Sequence, residues 1–502
     1  MKLISLCLKD DFNSLRPFEP IDITHTDRED GKIDPLCLIG TNGSGKSNLL
    51  ELIAEAFYCF ELNHRFEIDK RVKKKASRQL ELIYSLTKHN GKRIKINTYT
   101  NLIPKIYLEE NPDQWVEIID SFDVLDYLPV KIIGYTSGMN ETLSFRFNQL
   151  DSLYSDDVLL NAKAKSEEIL PENRLVFLDN ESNQAIVISN FLFKNSDQLK
   201  IFKDLLRITG LDTFKIIIDL KRKRSNEYVI LSREHLDYIE KFKLCSVCYR
   251  DEPLKYYEFD FVVNPATKAA FLEHFVTIDK LFMAFQKFKL LNPINLDKPL
   301  RKVKSEDDLL DNKPTLAKSD KVFRFEELNL LITNPNKSIP YIGISDGEHQ
   351  FLQIVGSAMI FEQDDELFLF DEPETHFNPS WRTQFIQVLN AILKGRDQDI
   401  VITTHSPFIV SDCKGYRVYK FMRIEGNSYF EKIGIETFGT SFDVILKKAF
   451  NVDNNISQEA NQEIISLLTS SDTGKIQDFI DESGPSFEKL ALLKHLKTLK
   501  SN

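Results

Sequence analysis

The chain has 502 residues, 42% hydrophobic and 28% charged, with a formal net charge of −11. That length suggests roughly three domains' worth of core-forming material, and the acidic balance excludes a general polyanion binder, leaving local basic patches for any nucleic-acid contact. No apolar run reaches the length of a membrane span, Met1 to Leu6 reads as a first strand and not a signal peptide, and the six cysteines form no disulfide-like framework, so a cytoplasmic location is expected.

Taken in chain order, Leu36-Cys37-Leu38-Ile39 reads as a short buried strand. The run Gly40-Thr41-Asn42-Gly43-Ser44-Gly45-Lys46-Ser47 follows and fits the phosphate-cradling pattern G-x-x-x-x-G-K-[ST]. Asn48 to Phe57 then reads as a helix with Leu49, Leu52, Ile53, Ala56 and Phe57 on one face. Strand, glycine loop and helix are what this chemistry needs. The glycines let successive backbone N–H groups turn toward one anion, and the helix N-terminus adds partial positive charge. In this reading Asn42, Gly43, Ser44, Gly45, Lys46, Ser47 and Asn48 hold a nucleotide. Lys46 reaches the β- and γ-phosphates, and the Ser47 hydroxyl ligates Mg²⁺.

Gln79 to Thr87 and Arg93 to Thr100 read as strands joined across His89-Asn90-Gly91. Lys131-Ile132-Ile133-Gly134-Tyr135 is a further buried strand. From 145 to 321 the pattern changes. Polar stretches alternate with short strands such as Ala185 to Ser189 and helices such as Asn195 to Ile208, and the stretch Asp297 to Lys321 is a charge-rich connection. This region reads as an inserted α+β domain between two α/β halves, 1–144 and 322–436.

The second half opens on the strand-rich run Val322 to Ile332, followed by Phe351, Leu352, Ile354, Val355 and Ala358 at helical spacing. Ser345-Asp346-Gly347-Glu348 precedes that helix as a capping box, with Ser345 as cap and Glu348 reaching back. The same helix N-terminus can also face an anion. Glu366 to Asp371 is a strand that ends, with Glu372, in two carboxylates. At the carboxyl end of a buried strand Asp371 would hold Mg²⁺ beside Ser47, and Glu372 would orient or deprotonate an attacking water. Asn378 to Leu393 reads as one helix, with Asn378 as N-cap and Pro379 in its first turn. Asp399 to Thr404 is another strand. It leads to Thr403-Thr404-His405-Ser406-Pro407, where His405 could donate to a γ-phosphate and sense its loss. The segment 437–502 reads as helical, and its apolar residues Ile445, Leu446, Phe450, Ile464, Ile465, Leu467 and Leu468 suggest a docking module or packing against the α/β halves.

The ordered set resembles the ABC-type ATPases. Gly40 to Ser47 corresponds to Walker A, Ser345 to Glu348 to a variant of the serine-glycine-glycine signature with Asp346 at a usual glycine, Asp371 and Glu372 to Walker B, Asn378 and Pro379 to the D-loop, and His405 to the switch histidine. The resemblance implies an α/β, ABC-type P-loop ATPase fold with ATP and Mg²⁺ as cofactors, and catalytic roles for Glu372 and His405. It also implies a homodimer through the ATPase heads, or a higher oligomer, in which Ser345, Gly347 and Glu348 of one chain face nucleotide held by Lys46 of the other. The long stretch between Lys46 and Asp371 is similar to the SMC, RecF and OLD group, which inserts a domain there. OLD-type nucleases add a TOPRIM domain after the histidine. Here Glu425-Gly426 is a faint match with no Asp-x-Asp motif after it, so no nuclease is expected in this chain.

More closely, the chain resembles the PtuA ATPases of Septu and retron-Septu antiphage systems. The resembling segments are Cys37 through Leu52, Ile133 to Glu141, Gly343 to Gln350 and Thr437 to Asp443. This implies an HNH nuclease partner of the PtuB type and, in the retron form, a reverse transcriptase with its RNA–DNA product. The alternatives are a stand-alone RecF-type DNA-repair ATPase and an ATP-binding scaffold without turnover. Four weaker signals remain. Cys245-Ser246-Val247-Cys248 could be half of a two-chain zinc hook, but without flanking heptads it reads more simply as buried thiols. Lys70 to Lys75 with Arg78, and Lys221 to Arg224, are basic clusters that could meet nucleic acid or be solvated faces. Phe12 or Arg16 could stack on adenine.

Overall fold

The structure, a computed structural model, describes residues 1–24, 31–65, 76–119, 124–138, 142–164, 172–223, 227–296, 316–333, 337–452 and 456–501. The basic cluster at Lys70 to Lys75, most of the connection Asp297 to Lys321, and Met139-Asn140-Glu141 lie outside these residues. The chain divides into two compact units, 1–438 and 439–502.

Strands β1 (Lys2–Leu8) and β2 (Phe18–Asp22) precede β3 (Leu36–Gly40), which runs into the glycine loop and helix α1 (Lys46–Arg65). Then come β4 (Leu80–Ser85), β5 (Arg93–Asn97), β6 (Lys105–Asn111), β7 (Gln114–Glu117) and β8 (Ile132–Thr136). As expected, β4 and β5 form a hairpin, with Asn90 and Gly91 both at positive φ in the turn. Helix α2 (Thr142–Ala164), β9 (Leu175–Phe177), α3 (Asn180–Phe193), α4 (Lys200–Leu206), β10 (Ile208–Asp219), α5 (Arg233–Cys245), β11 (Cys248–Glu252), β12 (Tyr256–Val262), α6 (Pro265–Phe275) and α7 (Ile278–Lys289) fill the middle. The rest of the first unit holds β13 (Phe323–Ile332), β14 (Lys337–Pro340), α8 (Asp346–Ile360), β15 (Leu367–Asp371), α9 (Pro379–Arg382), α10 (Phe385–Leu393), β16 (Asp399–Thr404), α11 (Pro407–Val410), β17 (Val418–Ile424) and β18 (Asn427–Lys432).

Three sheets result: β2-β1-β4-β5-β6-β7, β18-β17-β3-β16-β15-β8-β9, and β11-β12-β10-β13-β14. In the seven-stranded sheet β3, β16, β15, β8 and β9 run parallel. Their carboxyl ends therefore lie on one edge, the place where open parallel sheets bind ligands. Helix α1 shares one core with β1, β4, β15 and β16. It is buried all round, not on one face as its apolar spacing suggests. Its buried glutamates are partnered: Glu51 accepts from Asn13 Nδ2 at 3.1 Å, Arg146 pairs with Glu55 at 2.8 Å, and Glu61 accepts from the Arg174 N–H at 2.9 Å. Partnering is what makes buried carboxylates tolerable.

Several expected elements differ. Ala185 to Ser189 is not a strand but the centre of α3, which is buried among α8 and α7. A helix enclosed on every side has no solvated face to set a polar stripe, so its β-branched run carries no helical period; Asp179 sets its start by accepting from the Ser182 N–H at 2.8 Å. The helix expected over Asn195 to Ile208 is only α4, because Arg207 turns left-handed (φ 61°) and Ile208 begins β10. Asn378 to Leu393 is two helices. Asn378 caps the first as expected, but Thr383 Oγ1 (2.8 Å) and Gln384 Nε2 (3.1 Å) donate to the Ser380 carbonyl. They compete for the acceptor that the Gln384 N–H would take in a continuous helix, and that N–H bonds Trp381 O instead.

Sheet membership also departs from boundaries at 145 and 321. β9 is the edge strand of the seven-stranded sheet, and β13 and β14 belong to the five-stranded sheet through the antiparallel pairing of β10 with β13, Ile216 opposite Phe325. Such non-local pairing leaves no mark on local periodicity. Glu425 and Gly426, both at positive φ, are the two-residue turn between β17 and β18.

The second unit is helical: α12 (Phe442–Phe450), α13 (Gln458–Leu468), α14 (Thr473–Glu482) and α15 (Phe487–Ser501). Ile464, Ile476, Ile480, Leu492 and Leu496 form its core, with Leu467 and Leu468 packed on it. Ile465 stays exposed. No described helix is long and apolar enough to cross a membrane. None of the six cysteines is in a disulfide. Cys245 is buried and Cys248 exposed at the start of an edge strand, and no metal-binding group of His, Cys, Asp or Glu occurs among the described residues.

Candidate active site

The glycine loop is shaped by what stands against it. Gly40 has φ 146° and Gly45 φ 98°, and a Cβ on either would collide, with the Phe421 carbonyl and the Ser428 hydroxyl respectively. Only glycine combines that backbone with such close approach. At the start of α1, Lys46 Nζ donates to the carbonyls of Gly40 and Thr41, both at 3.2 Å, and lies 2.8 Å from His405 Nε2. The Ser44 hydroxyl is fully buried and has no hydrogen-bond partner.

Parallel strands carry the acidic side of the site. Asp371, at the end of β15, accepts from Ser47 Oγ (2.8 and 3.0 Å), from Thr403 Oγ1 (2.5 Å) and from Thr136 Oγ1 (3.3 Å). Burial raises its pKa, and the hydroxyls of Thr403 and Ser47 oppose the rise. Glu372 sits at φ 50°, with its N–H on the carbonyl and hydroxyl of Thr403. Its carboxylate lies 3.0 Å from His405 Nε2, and that hydrogen bond holds it below the ordinary carboxylate range. One ring nitrogen thus meets both Lys46 and Glu372. As an N–H it donates to Glu372, and as a lone pair it accepts from Lys46, so His405 sides with one at a time. Burial lowers the pKa of Lys46, while Glu372, Asp371 and Glu374 pull it back up.

Gly45, Lys46, Ser47, Asp371 and Glu372 line a cavity of about 420 Å³, together with Asn42 to Ser44, Asn48, Ser14, Thr136, Ser137, Gly138 and Arg423. The phosphate-loop residues, Asp371 and Glu372 expected from the sequence are therefore together, and His405 touches two of them. Ser345, Gly347 and Glu348 do not line it. They form the capping box at the head of α8, with the Glu348 N–H on Ser345 Oγ at 3.3 Å and the Ser345 N–H on Glu348 Oε2 at 2.8 Å. Ser345 is exposed, and a Cβ on Gly347 would stand 2.6 Å from the His376 carbonyl. From the same helix, Gln350 Nε2 donates to Tyr135 OH (3.0 Å) and Gln350 Oε1 accepts from the His376 N–H (2.9 Å). Helix α8 is thereby tied to the loop after β15.

Five contributors escaped the sequence reading. Thr136 and Ser137 were discoverable, since they follow a buried strand that proves to neighbour β15. Glu374 is buried with its pKa pushed up to about 7, hydrogen-bonded to Thr404, and gave no signal beyond its place after Walker B. Ser14 and Arg423 arrive from distant segments and had no local signature. Of the two candidates for adenine stacking, Phe12 is excluded because it is 2% exposed within the core, in a bridge with Leu15. Arg16 is exposed and paired with Asp11.

Comparison with known proteins agrees at the level of the ATPase. The family described as "AAA domain, putative AbiEii toxin, Type IV TA system" matches residues 251–411, which include Ser345 to Glu348, Asp371, Glu372 and His405. Protein ea59 of Escherichia phage lambda is 32% identical over 84 residues, covering 17% of this chain. The match spans only 16% of that protein's length. Among solved structures, the SMC head domain from Thermotoga maritima has a TM-score of 0.33 at 10% identity, over 87% of this chain and all of that one. The Pyrococcus furiosus Smc head bound to the C-terminal domain of ScpA has a TM-score of 0.34 at 13% identity, over 93% and 100%. The assignment rests on the glycine loop, the parallel strand order and the Ser47–Asp371 contact, not on these low scores. By those features the chain has the α/β fold of a P-loop ATPase with a helical C-terminal segment.

Proposed function

We propose that this chain is an ATP-hydrolysing switch that works as a homodimer in the cytoplasm and governs a nuclease partner in an antiphage defence complex. The observation that carries the enzymatic part is the convergence of Lys46, Ser47, Asp371 and Glu372 on one cavity, with His405 touching Lys46 and Glu372. The residues fit a nucleotide with Mg²⁺. A buried Ser44 hydroxyl lacks a partner, glycines turn the loop backbone, and the Ser47 hydroxyl with the Asp371 carboxylate is an oxygen pair of the kind Mg²⁺ takes alongside phosphates and water. Bound there, the ion would supply charge neutralisation. The chain's own residues do the rest: Lys46 binds phosphate, Glu372 orients and deprotonates water, and His405 exchanges its hydrogen bond between Lys46 and Glu372.

The dimer is supported by the exposure of Ser345 at a helix N-terminus away from its own cavity, which suits an anion presented by a second chain. Ser345→Arg should leave ATP binding within about twofold and lower hydrolysis at least roughly tenfold, because the bulky cation blocks the partner's site from the far side. Steady-state phosphate release beside calorimetric ATP binding reads both. Full activity in the Ser345→Arg homodimer rules out the signature role.

The partner reading rests on the PtuA-like segments and on the second unit. That unit presents an apolar groove of about 700 Å³ at Ile456, Phe487, Leu490 and Leu493, with Phe487 78% exposed. An HNH nuclease of the PtuB type is the partner this reading assigns, with a reverse transcriptase and its RNA–DNA product in the retron form. Deleting 457–502 removes the small core whole. We expect ATP binding to persist and pull-down of the neighbouring-gene nuclease to be lost. Pull-down retained by the truncated chain moves the partner site to the middle region, and absence of any co-purifying nuclease from the native operon favours a stand-alone DNA-repair ATPase.

A further inference from the structure

The β17–β18 pair stands against the glycine loop at three places. The Phe421 carbonyl occupies the space beside Gly40, the Ser428 hydroxyl that beside Gly45, and Arg423 Nη1 lies 3.4 Å from the Gly43 carbonyl. Ser428 Oγ is 2.6 Å from Ser14 Oγ, which accepts from Asn48 Nδ2 at 2.8 Å. The hairpin is thus fastened to both ends of the loop, and it carries one basic side chain into the cavity lining.

That guanidinium has no carboxylate partner among the described residues. Basic side chains round two other cavities are neutralised. Lys289 pairs with Asp179, Lys321 with Glu181 and Arg324 with Glu326, and Lys194 and Arg396 share Glu362. The nearest carboxylates in the nucleotide cavity are engaged elsewhere, Asp371 by three hydroxyls and Glu372 by His405. Arg423 therefore keeps almost all of its five N–H donors uncommitted while touching a phosphate-binding loop. An exposed arginine held there by a docked strand pair is positioned to meet an anion, and its flat fork suits phosphate oxygens.

We propose that Arg423 is a second nucleotide-binding cation, which contacts the phosphate chain of the nucleotide from the side opposite the core. The proposal rests on the reading of the cavity as a nucleotide site. It makes the β17–β18 hairpin, and not the glycine loop alone, part of the binding surface.

The test is ATP titration calorimetry on the full chain with Arg423→Ala, Arg423→Gln and Arg423→Lys, with Lys46→Ala as reference. Glutamine keeps an N–H donor for the Gly43 carbonyl and loses the charge, whereas lysine keeps the charge. We expect Ala and Gln each to weaken ATP binding about tenfold at unchanged melting temperature, and Lys to restore most of it. Wild-type affinity in Arg423→Ala, or rescue by Gln as good as by Lys, makes the arginine a spectator or a mere support of the loop and overturns the proposal. Wild-type binding by Lys46→Ala instead overturns the nucleotide-site reading beneath it.

Discussion

Lys46→Ala should abolish nucleotide binding, with an affinity loss of at least roughly a hundredfold and no measurable heat in calorimetry at micromolar protein. The cavity already contains Asp371 and Glu372, so a polyanion enters against its own sign unless cations oppose it. Lys46 is the buried cation of the site, its amine fixed by the Gly40 and Thr41 carbonyls at the mouth of the loop. Loss of binding must be separated from loss of fold, and the pKa direction separates them. Burial depresses the pKa of Lys46, so the folded chain binds its proton less willingly than the unfolded chain does. That penalty on folding is fully present below the folded-state pKa and fades as pH rises through it toward the unfolded value. Removing the amine therefore removes a cost, and the variant should melt no lower than wild type by more than a few degrees, as often found for residues kept for function. An Ala variant that binds ATP like wild type would contradict the phosphate-loop assignment.

How much of this was legible beforehand follows the range of each interaction. The glycine loop, its flanking strand and helix, the two carboxylates after β15 and the histidine after β16 are short runs whose chemistry is set by neighbours in sequence. Their convergence could be inferred because parallel strands end on one edge. The capping box was legible for the same reason, as was the β4–β5 turn. Helix α3 was not, because full burial erases amphipathic spacing. The five-stranded sheet was not, because β10 and β13 pair across more than a hundred intervening positions. Arg423 lies 380 positions from the glycine whose carbonyl it touches, and no local pattern distinguishes it from other arginines. Phe12 could not be separated from Arg16 until the core around β1 showed which one was enclosed.

Glu372→Gln should keep ATP binding and slow hydrolysis by about a hundredfold to a thousandfold, within the span that general-base catalysis supplies. Two features of the fold prepare Glu372 for that work. Its left-handed backbone, with the N–H fixed to Thr403, turns the side chain out of the strand direction and into the cavity lining beside Lys46 and Ser47. Its hydrogen bond to His405 keeps the pKa below the ordinary 4.5, so the group is a carboxylate throughout the neutral range. Glutamine preserves size and can still accept a hydrogen bond from His405 or water, so position and binding survive while the capacity to take a proton is lost. The sign of the pH effect follows from the same shift. Acidification from pH 8 toward 6 does not protonate Glu372, so any activity lost in that window belongs to another group and should persist in proportion in the variant's residual rate. Phosphate release under saturating ATP, with binding measured in parallel, decides the matter: a rate unchanged within error removes Glu372 from the chemistry, and lost binding would make it a ligand contact and not a base.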